Sequence, residues 1–376
     1  VAASCQSPTG CEGCINKQGV CLRGTLDSAC GSFGAACVAC GSGALCQQGV
    51  CAPELPDAGQ NDAGQNDAGQ DDAGLGVDAG PADGGMADGG GDGDGGSTPS
   101  FQLMPSTTTA TLRDVAVVSP TEAYVVGLRG TVLRWDGSQW SAAGSPTSLD
   151  LYALTLAEGG GWAVGEGGTL LSLASGTWSG YSPPLTAAPL TGIAAASSRS
   201  AMAAGKEGDQ HYTFVWDGAQ WTKLATGTPH PYTQMPDIFM VADGTAFAAK
   251  DSSIMRWTGT DWESLTTPTT TSLQAVWAAS ANEAFAVGSS GVVMRWRSTA
   301  GLVMDQLSPY PFLHGVWGSG SSDVWAVGSG GTILHWNGDD WTQVDSPTTK
   351  DLYGVSGSGP DDVWIVGAGG TILHGP

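Results

Sequence analysis

The residues with the most obvious chemistry in this 376-residue chain are nine cysteines and five histidines, and they are unevenly placed. All nine cysteines lie between Cys5 and Cys51. Two pairs, Cys11/Cys14 and Cys37/Cys40, have the CxxC spacing used by zinc ribbons. A zinc site would leave the other five unexplained. A cysteine-dense stretch with few apolar side chains reads better as a disulfide framework made in an oxidising compartment. Its members are Cys11, Cys14, Cys21, Cys30, Cys37, Cys40, Cys46 and Cys51, in a pairing the sequence leaves open. Cys5 follows Ala2-Ala-Ser4 and has two readings, a lipid attachment point or a cysteine whose partner is lost. The start at Val1 reads as a mature end behind a removed leader.

Elsewhere the search for catalysis finds little. No GxSxG, HExxH or P-loop pattern occurs. Gly-x-x-Gly recurs, as at 127/130 and 288/291, but its recurrence at matched places marks a turn rather than a phosphate cradle. His335 and His374 share one repeat position with Arg134, Arg256 and Arg295, which reads as a structural surface position. One local departure stands out. The stretches Lys206-Glu-Gly-Asp-Gln-His-Tyr-Thr213 and Gly227-Thr-Pro-His-Pro-Tyr-Thr233 are longer than their equivalents. In a four-stranded meander the turn between second and third strands lies on the same face as the connection to the next unit. Asp209, His211, Tyr212, His230 and Tyr232 are therefore the candidate ligand-binding cluster, since long loops on a rigid scaffold often bind; otherwise they are two unrelated insertions.

The elements that would position these residues come from a repeat. Its clearest copy, Leu313 to Asp351, holds four short runs rich in Val, Ile and Trp, which suit a pleated surface. Gly, Ser, Asn and Asp end each run and supply turn geometry. No run is long enough for an amphipathic helix. Trp336-Asn-Gly-Asp-Asp-Trp341 places Asn-Gly in a turn and sets two tryptophans opposite each other. The residue ending the second run recurs at Gly127, Gly165, Gly205, Lys250, Gly288, Gly328 and Gly367. A period near 40 with four strands per unit predicts a β-propeller. The last copy stops after its third run, and Phe101-Gln-Leu-Met104 matches the missing fourth. The expected fold is all-β: a seven-bladed propeller over 101–376, closed by the strand at Phe101–Met104, behind a disulfide-rich module at 1–51.

Residues 52–100 join the two with a low-complexity Asp/Gly/Ala tether that has almost nothing to bury. Formal net charge is −23. The tether carries eleven acidic and no basic residues, the propeller 23 acidic against 11 basic. This balance argues against nucleic acid and anionic lipid, both of which need a basic face. Nor does any run approach the 18 apolar residues of a membrane span. No cofactor is expected, with extracellular calcium the one cation the acidity leaves open. Gly91-Asp-Gly-Asp-Gly-Gly96 lacks the spaced ligands of a calcium loop.

The Val-Gly-x-x-Gly-Thr-Ile-Leu core followed by Trp-Asp-Gly-x-x-Trp resembles the photosystem assembly-factor and Asp-box propellers. The Trp336–Trp341 turn is a shortened form of the Asp-box hairpin. Some members of that group are sialidases, which the resemblance would endow with an arginine cluster and an acid/base pair; no such set can be placed here. The N-terminal stretch resembles cysteine-rich modules of secreted bacterial surface proteins, which often carry Cys-Cys where this chain has Cys14-Ile15. That likeness favours a lost partner for one cysteine. The expectation is a non-enzymatic extracellular or cell-surface protein. Its propeller would be a platform for other protein subunits, itself included, in a head-to-tail fibre. A glycan-binding propeller, with Tyr232 and Tyr310 stacking on sugar, is the alternative, and a glycoside-active enzyme the third.

Overall fold

The computed structural model describes residues 99–157, 159–207, 210–224, 237–242, 244–265, 271–307 and 311–376. In the N-terminal part it describes only the backbone of short strands between Cys14 and Pro53. The tether at 52–100 and the module boundary before it lie largely outside the described residues, as does the side-chain chemistry of the cysteines.

The described wheel has seven blades. Each blade is an antiparallel meander running outward from the axis, and the first opens with Leu112–Ser119, Glu122–Gly127, Val132–Trp135 and Trp140–Ala142. The seventh takes three strands, Leu352–Gly359, Asp362–Gly367 and Ile372–Gly375, from the end of the chain. Its fourth is Gln102–Leu103, which pairs Leu103 with Leu373 and Gln102 with His374. The Met104 N–H extends the ladder to Ile372 O at 2.9 Å. Phe101 fills the place of the missing tryptophan, 6 % exposed and edge-on to Trp325 at 5.3 Å.

Why the sheets form a ring follows from how they are buried. A blade is apolar on both faces, and seven clusters of buried side chains lie between successive blades. One joins the last blade to the first: Leu112, Val115 and Trp135 pack on Trp364, Val366 and Ile372. Each cluster is supplied from two sides, so no blade is stable alone and the ring leaves no apolar face open. The paired tryptophans are register partners, with ring centroids 5.7 Å apart for Trp135/Trp140 and 5.7 Å for Trp336/Trp341. Leu173 takes the first place opposite Trp178, and Leu302 the second opposite Trp296.

The Gly-x-x-Gly segments form single 3-10 turns between second and third strands in five blades. Their final glycine has positive φ, +79° at Gly331. A Cβ there would stand 1.9 Å from Thr348 O, so both conformation and space demand glycine. These turns meet the connections between blades, as in Leu128 N–H to Thr111 O at 2.9 Å, so both lie on one face of the wheel.

The Asp-box-like hairpins close on a side-chain oxygen. Asp136 Oδ1 accepts the N–H groups of Ser138 at 2.8 Å and Gln139 at 2.9 Å. Asn337 Oδ1 does the same for Asp339 and Asp340, both at 2.9 Å. Hydrogen bonds led by the Ser138 hydroxyl hold the Asp136 carboxyl below its ordinary pKa.

Candidate functional site

The repeat position shared by Arg134, Arg256, Arg295, His335 and His374 is a structural one. Four of these side chains pair across to an acid that opens the second strand. Arg134 meets Glu122 at 3.2 Å, Arg295 meets Glu283 at 2.6 Å, His335 meets Asp323 at 2.6 Å and His374 meets Asp362 at 2.8 Å. The aromatic between acid and partner carries the partner side chain on its ring, most tightly where His374 stacks on Trp364 at 3.9 Å and 15°. This triplet locks second strand to third and leaves no histidine there free for chemistry.

The long hairpin of the third blade is regular. Strands Ser200–Glu207 and Gln210–Trp216 extend the ladder outward, pairing Lys206 with His211 and Gly205 with Tyr212. Tyr212 is half-buried against the interface of blades two and three, with Lys223 Nζ 3.2 Å from its ring centre. Asp209, His230 and Tyr232 lie outside the described residues, as does Tyr310.

The cavity with convergent polar groups is the axial channel, at its mouth on the turn face. It is lined by the opening residues of the inner strands, among them Arg113, Asp114, Tyr152, Asp237, His314 and Tyr353. Two rings can be read from register. The residue after each anchoring leucine gives Arg113, Tyr152, Thr191, Gln274, His314 and Tyr353. The next residue gives Asp114, Ala153, Gly192, Asp237, Ala275, Gly315 and Gly354. The second ring is small because inner strands crowd there: a Cβ on Gly354 would lie 2.9 Å from Asp114 Cα.

The two aspartates in this narrow ring link neighbouring blades. Asp114 Oδ1 accepts from Val115 N–H and Oδ2 from Leu154 N–H of the next blade, both at 2.8 Å. Asp237 Oδ2 accepts from Val276 N–H of its next blade at 3.0 Å. Enclosure by protein raises the Asp114 pKa to about 6. Enclosure, with the Asp114 charge adding to it, raises that of Asp237 to about 7.

Above them the outer ring forms an aromatic and cationic rim. The Arg113 guanidinium sits 4.7 Å from the Tyr353 ring centre. Tyr353 lies 5.0 Å from His314, which lies 4.9 Å from Phe312. Arg113 Nε is buried with no hydrogen-bond partner among the described residues. Burial, helped by the Arg113 charge and opposed by Asp351, lowers the His314 pKa, and its Nε2 meets Ser329 Oγ at 3.1 Å. Burial raises the Tyr152 pKa, with Glu166 and Asp150 adding to the shift and Arg113 opposing it. Sequence reasoning missed this site. Its one signal was a position that varies from copy to copy beside a leucine that hardly does. Among the described residues no group of three or more His, Cys, Asp or Glu could hold a metal ion, and no helix is long and apolar enough to cross a membrane.

No family model matches the chain. A curated relative, the immune protein Tsi7 of Pseudomonas aeruginosa, is 41 % identical over 58 residues, 15 % of this chain and 19 % of that protein. The matched stretch is thus about a fifth of the relative's length. Among solved structures, YCF48 bound to D1 peptide matches at TM-score 0.60 and 20 % identity, over 74 % of this chain and 97 % of that one. Virginiamycin B lyase from Staphylococcus aureus matches at 0.64 and 12 % identity, over 73 % and 98 %. The WD40 propeller domain of Doa1 matches at 0.60 and 14 % identity, over 73 % and 96 %. At these identities the likeness is one of fold: the chain carries a seven-bladed β-propeller whose neighbours include both binding proteins and a lyase.

Proposed function

We propose that the chain is a non-enzymatic binding protein whose channel mouth receives a segment of a protein partner. The observation that carries this reading is the outer ring. Six inner-strand positions with the same backbone setting carry six side chains, Arg113, Tyr152, Thr191, Gln274, His314 and Tyr353, five types in all. Scaffold positions repeat; this one does not, and its side chains converge on one concavity. Aromatic faces and an arginine with an unused N–H supply the stacking and charged hydrogen bonding that binding hot spots use.

The buried carboxylates favour binding over catalysis. Both oxygens of Asp114 are engaged by backbone N–H groups, and His314 is tied to Ser329. Asp114 is committed to joining two blades, and His314 to a contact within the sixth blade, rather than to moving protons. That the YCF48 structure contains a peptide supports protein over sugar as the ligand class here. We place the protein outside the cell or on its surface, on the strength of the nine-cysteine N-terminal stretch and the acidic tether. Head-to-tail self-assembly remains the finer reading of its role.

Selection of a displayed peptide library on the full chain tests the site. The expected result is an enriched sequence family whose binding falls at least about tenfold in Arg113→Ala/Tyr353→Ala, in keeping with about 2 kcal/mol per hot-spot contact. No enrichment, or enrichment indifferent to both substitutions, rejects the channel mouth. Glycan-array hits lost in Tyr353→Ala would turn the assignment to sugar.

A further inference from the structure

The seven outer edges of the wheel are not alike. In six blades the fourth strand is short: Trp140–Ala142, Thr177–Gly180, Trp221–Lys223, Trp262–Leu265, Trp341–Val344 and Gln102–Leu103. Polar or charged residues such as Ser141, Ser179, Lys223, Glu263 and Gln343 interrupt these edges, which discourages further strand addition. In the fifth blade it is Gly301–Gln306, six residues long, with Leu302, Val303 and Met304 in a row. It has no tryptophan; Leu302 and Met304 pack inward on the cluster of blades four and five, whereas Val303 belongs to none of the interblade clusters. This is the longest and most apolar outer edge among the described residues.

That edge is occupied. Cys21–Leu22, from the N-terminal module, lies parallel to it with Cys21 paired to Val303. Behind it Cys14–Ile15 pairs antiparallel with Cys21–Leu22, so the fifth sheet grows from four strands to six. We infer that the outer edge of the fifth blade is a strand-acceptor site, and that the segment it accepts is the Cys21–Leu22 strand of the same chain. The contact would fix the cysteine-rich module to the wheel and cover the edge most open to pairing with other proteins.

The direction of the free amides shows how it works. Leu307 N–H bonds back to Gly291 O at 2.9 Å, and amides alternate along a strand. The amides of Val303 and Asp305 therefore face the blade, and those of Leu302 and Met304 face outward. Main-chain bonding from the outward set is the chemistry of β-augmentation. The tether makes the same chain the favoured donor. A 49-residue stretch of the composition of 52–100, taken as a random coil, would span roughly 35–42 Å on average, and a tether of that kind would give an effective concentration on the order of millimolar. Pairing with a second copy loses to this at micromolar protein.

The test uses the full chain and two variants. Met304→Pro removes an outward amide at a place where an edge strand tolerates proline. Val303→Lys puts a charge at the centre of the edge without touching the interblade clusters. Hydrogen exchange, small-angle scattering and thermal melting are read together. The expected result is slow exchange at the Met304 amide in the parent chain, at least about tenfold faster exchange there in Val303→Lys, and in both variants a larger radius of gyration and an intact wheel. Should Met304→Pro fail to melt cooperatively, Val303→Lys decides. Parent amides exchanging as fast as an open peptide, or a radius unchanged in the variant that folds, overturns the site. A parent radius that grows with concentration overturns the assignment to the same chain and gives the edge to a neighbouring copy.

Discussion

Asp237 offers the sharpest check on the channel. Its carboxyl is enclosed by the inner strands, and its pKa stands at about 7 against 3.8 in an open chain. The folded protein therefore holds a proton that the unfolded chain has released throughout the window between these values. Stability from this group falls as pH rises through the window, and the full cost of its charge is felt above pH 7. Three units at about 1.4 kcal/mol each set a ceiling of about 4 kcal/mol. Asp237 is half-buried as a residue, so with solvent screening roughly half of that, about 2 kcal/mol, is the expected cost. Asp237→Asn removes the charge and keeps an oxygen to accept Val276 N–H. At about 2–4 °C per kcal/mol for a large domain, the variant should melt about 4–8 °C above the parent at pH 8. At pH 4, where the parent carboxyl is already protonated, the two should melt together. Asp114→Asn should shrink the Asp237 effect, because the Asp114 charge is part of what raises the Asp237 pKa. Tryptophan-fluorescence melts from pH 4 to 8 measure the difference. A gap that does not change with pH, or a parent that outlasts Asp237→Asn at pH 8, refutes the buried-charge reasoning.

Two further outcomes follow from the scaffold. Gly331→Ala should lower stability by about 2 kcal/mol or more, since φ is +79° and the added carbon would strike Thr348 O; Gly320→Ala, with open space around it, should shift the melt by no more than about 1–2 °C. Phe101→Ala should cost about 3–5 kcal/mol, as large-to-small core changes do, and should hasten proteolysis of the Ile372–Gly375 strand, seen by mass mapping.

Much of the wheel was legible because its rules are local and repeated. The leucine that opens six of the seven copies, the glycines of the turns and the Trp-x-x-x-x-Trp hairpins recur at near-fixed offsets, and each has one physical cause. The match of Phe101 to a missing tryptophan was visible for the same reason: it is an offset from Leu112 and Val115. The channel was not legible. Arg113, Tyr152, His314 and Tyr353 are far apart in sequence and meet only because seven strands converge. Asp114 and Asp237 are conspicuous only once aligned with the alanines and glycines of their ring. The pairing of Cys21 with Val303 had only half a sequence signal: the apolar row Leu302–Met304 marks the acceptor edge, whereas nothing in Cys21–Leu22 marks the donor, because edges pair through backbone N–H and C=O groups. Conversely, His335 and His374 drew attention as histidines yet make the same cross-strand contact to an acid as Arg134 and Arg295 do at that position.

The closing blade has a mechanical consequence. The tether joins the wheel at the strand Gln102–Leu103, held by pairing to His374 and Leu373. Tension carried by the tether itself would load this two-residue strand before any other of the seventh blade, and its release would expose Trp325 and the flank of the last sheet at once. A pull strong enough to free Phe101 would thus leave last and first blades joined only by the packing of Leu112, Val115 and Trp135 on Trp364, Val366 and Ile372, so the wheel should yield at this seam first.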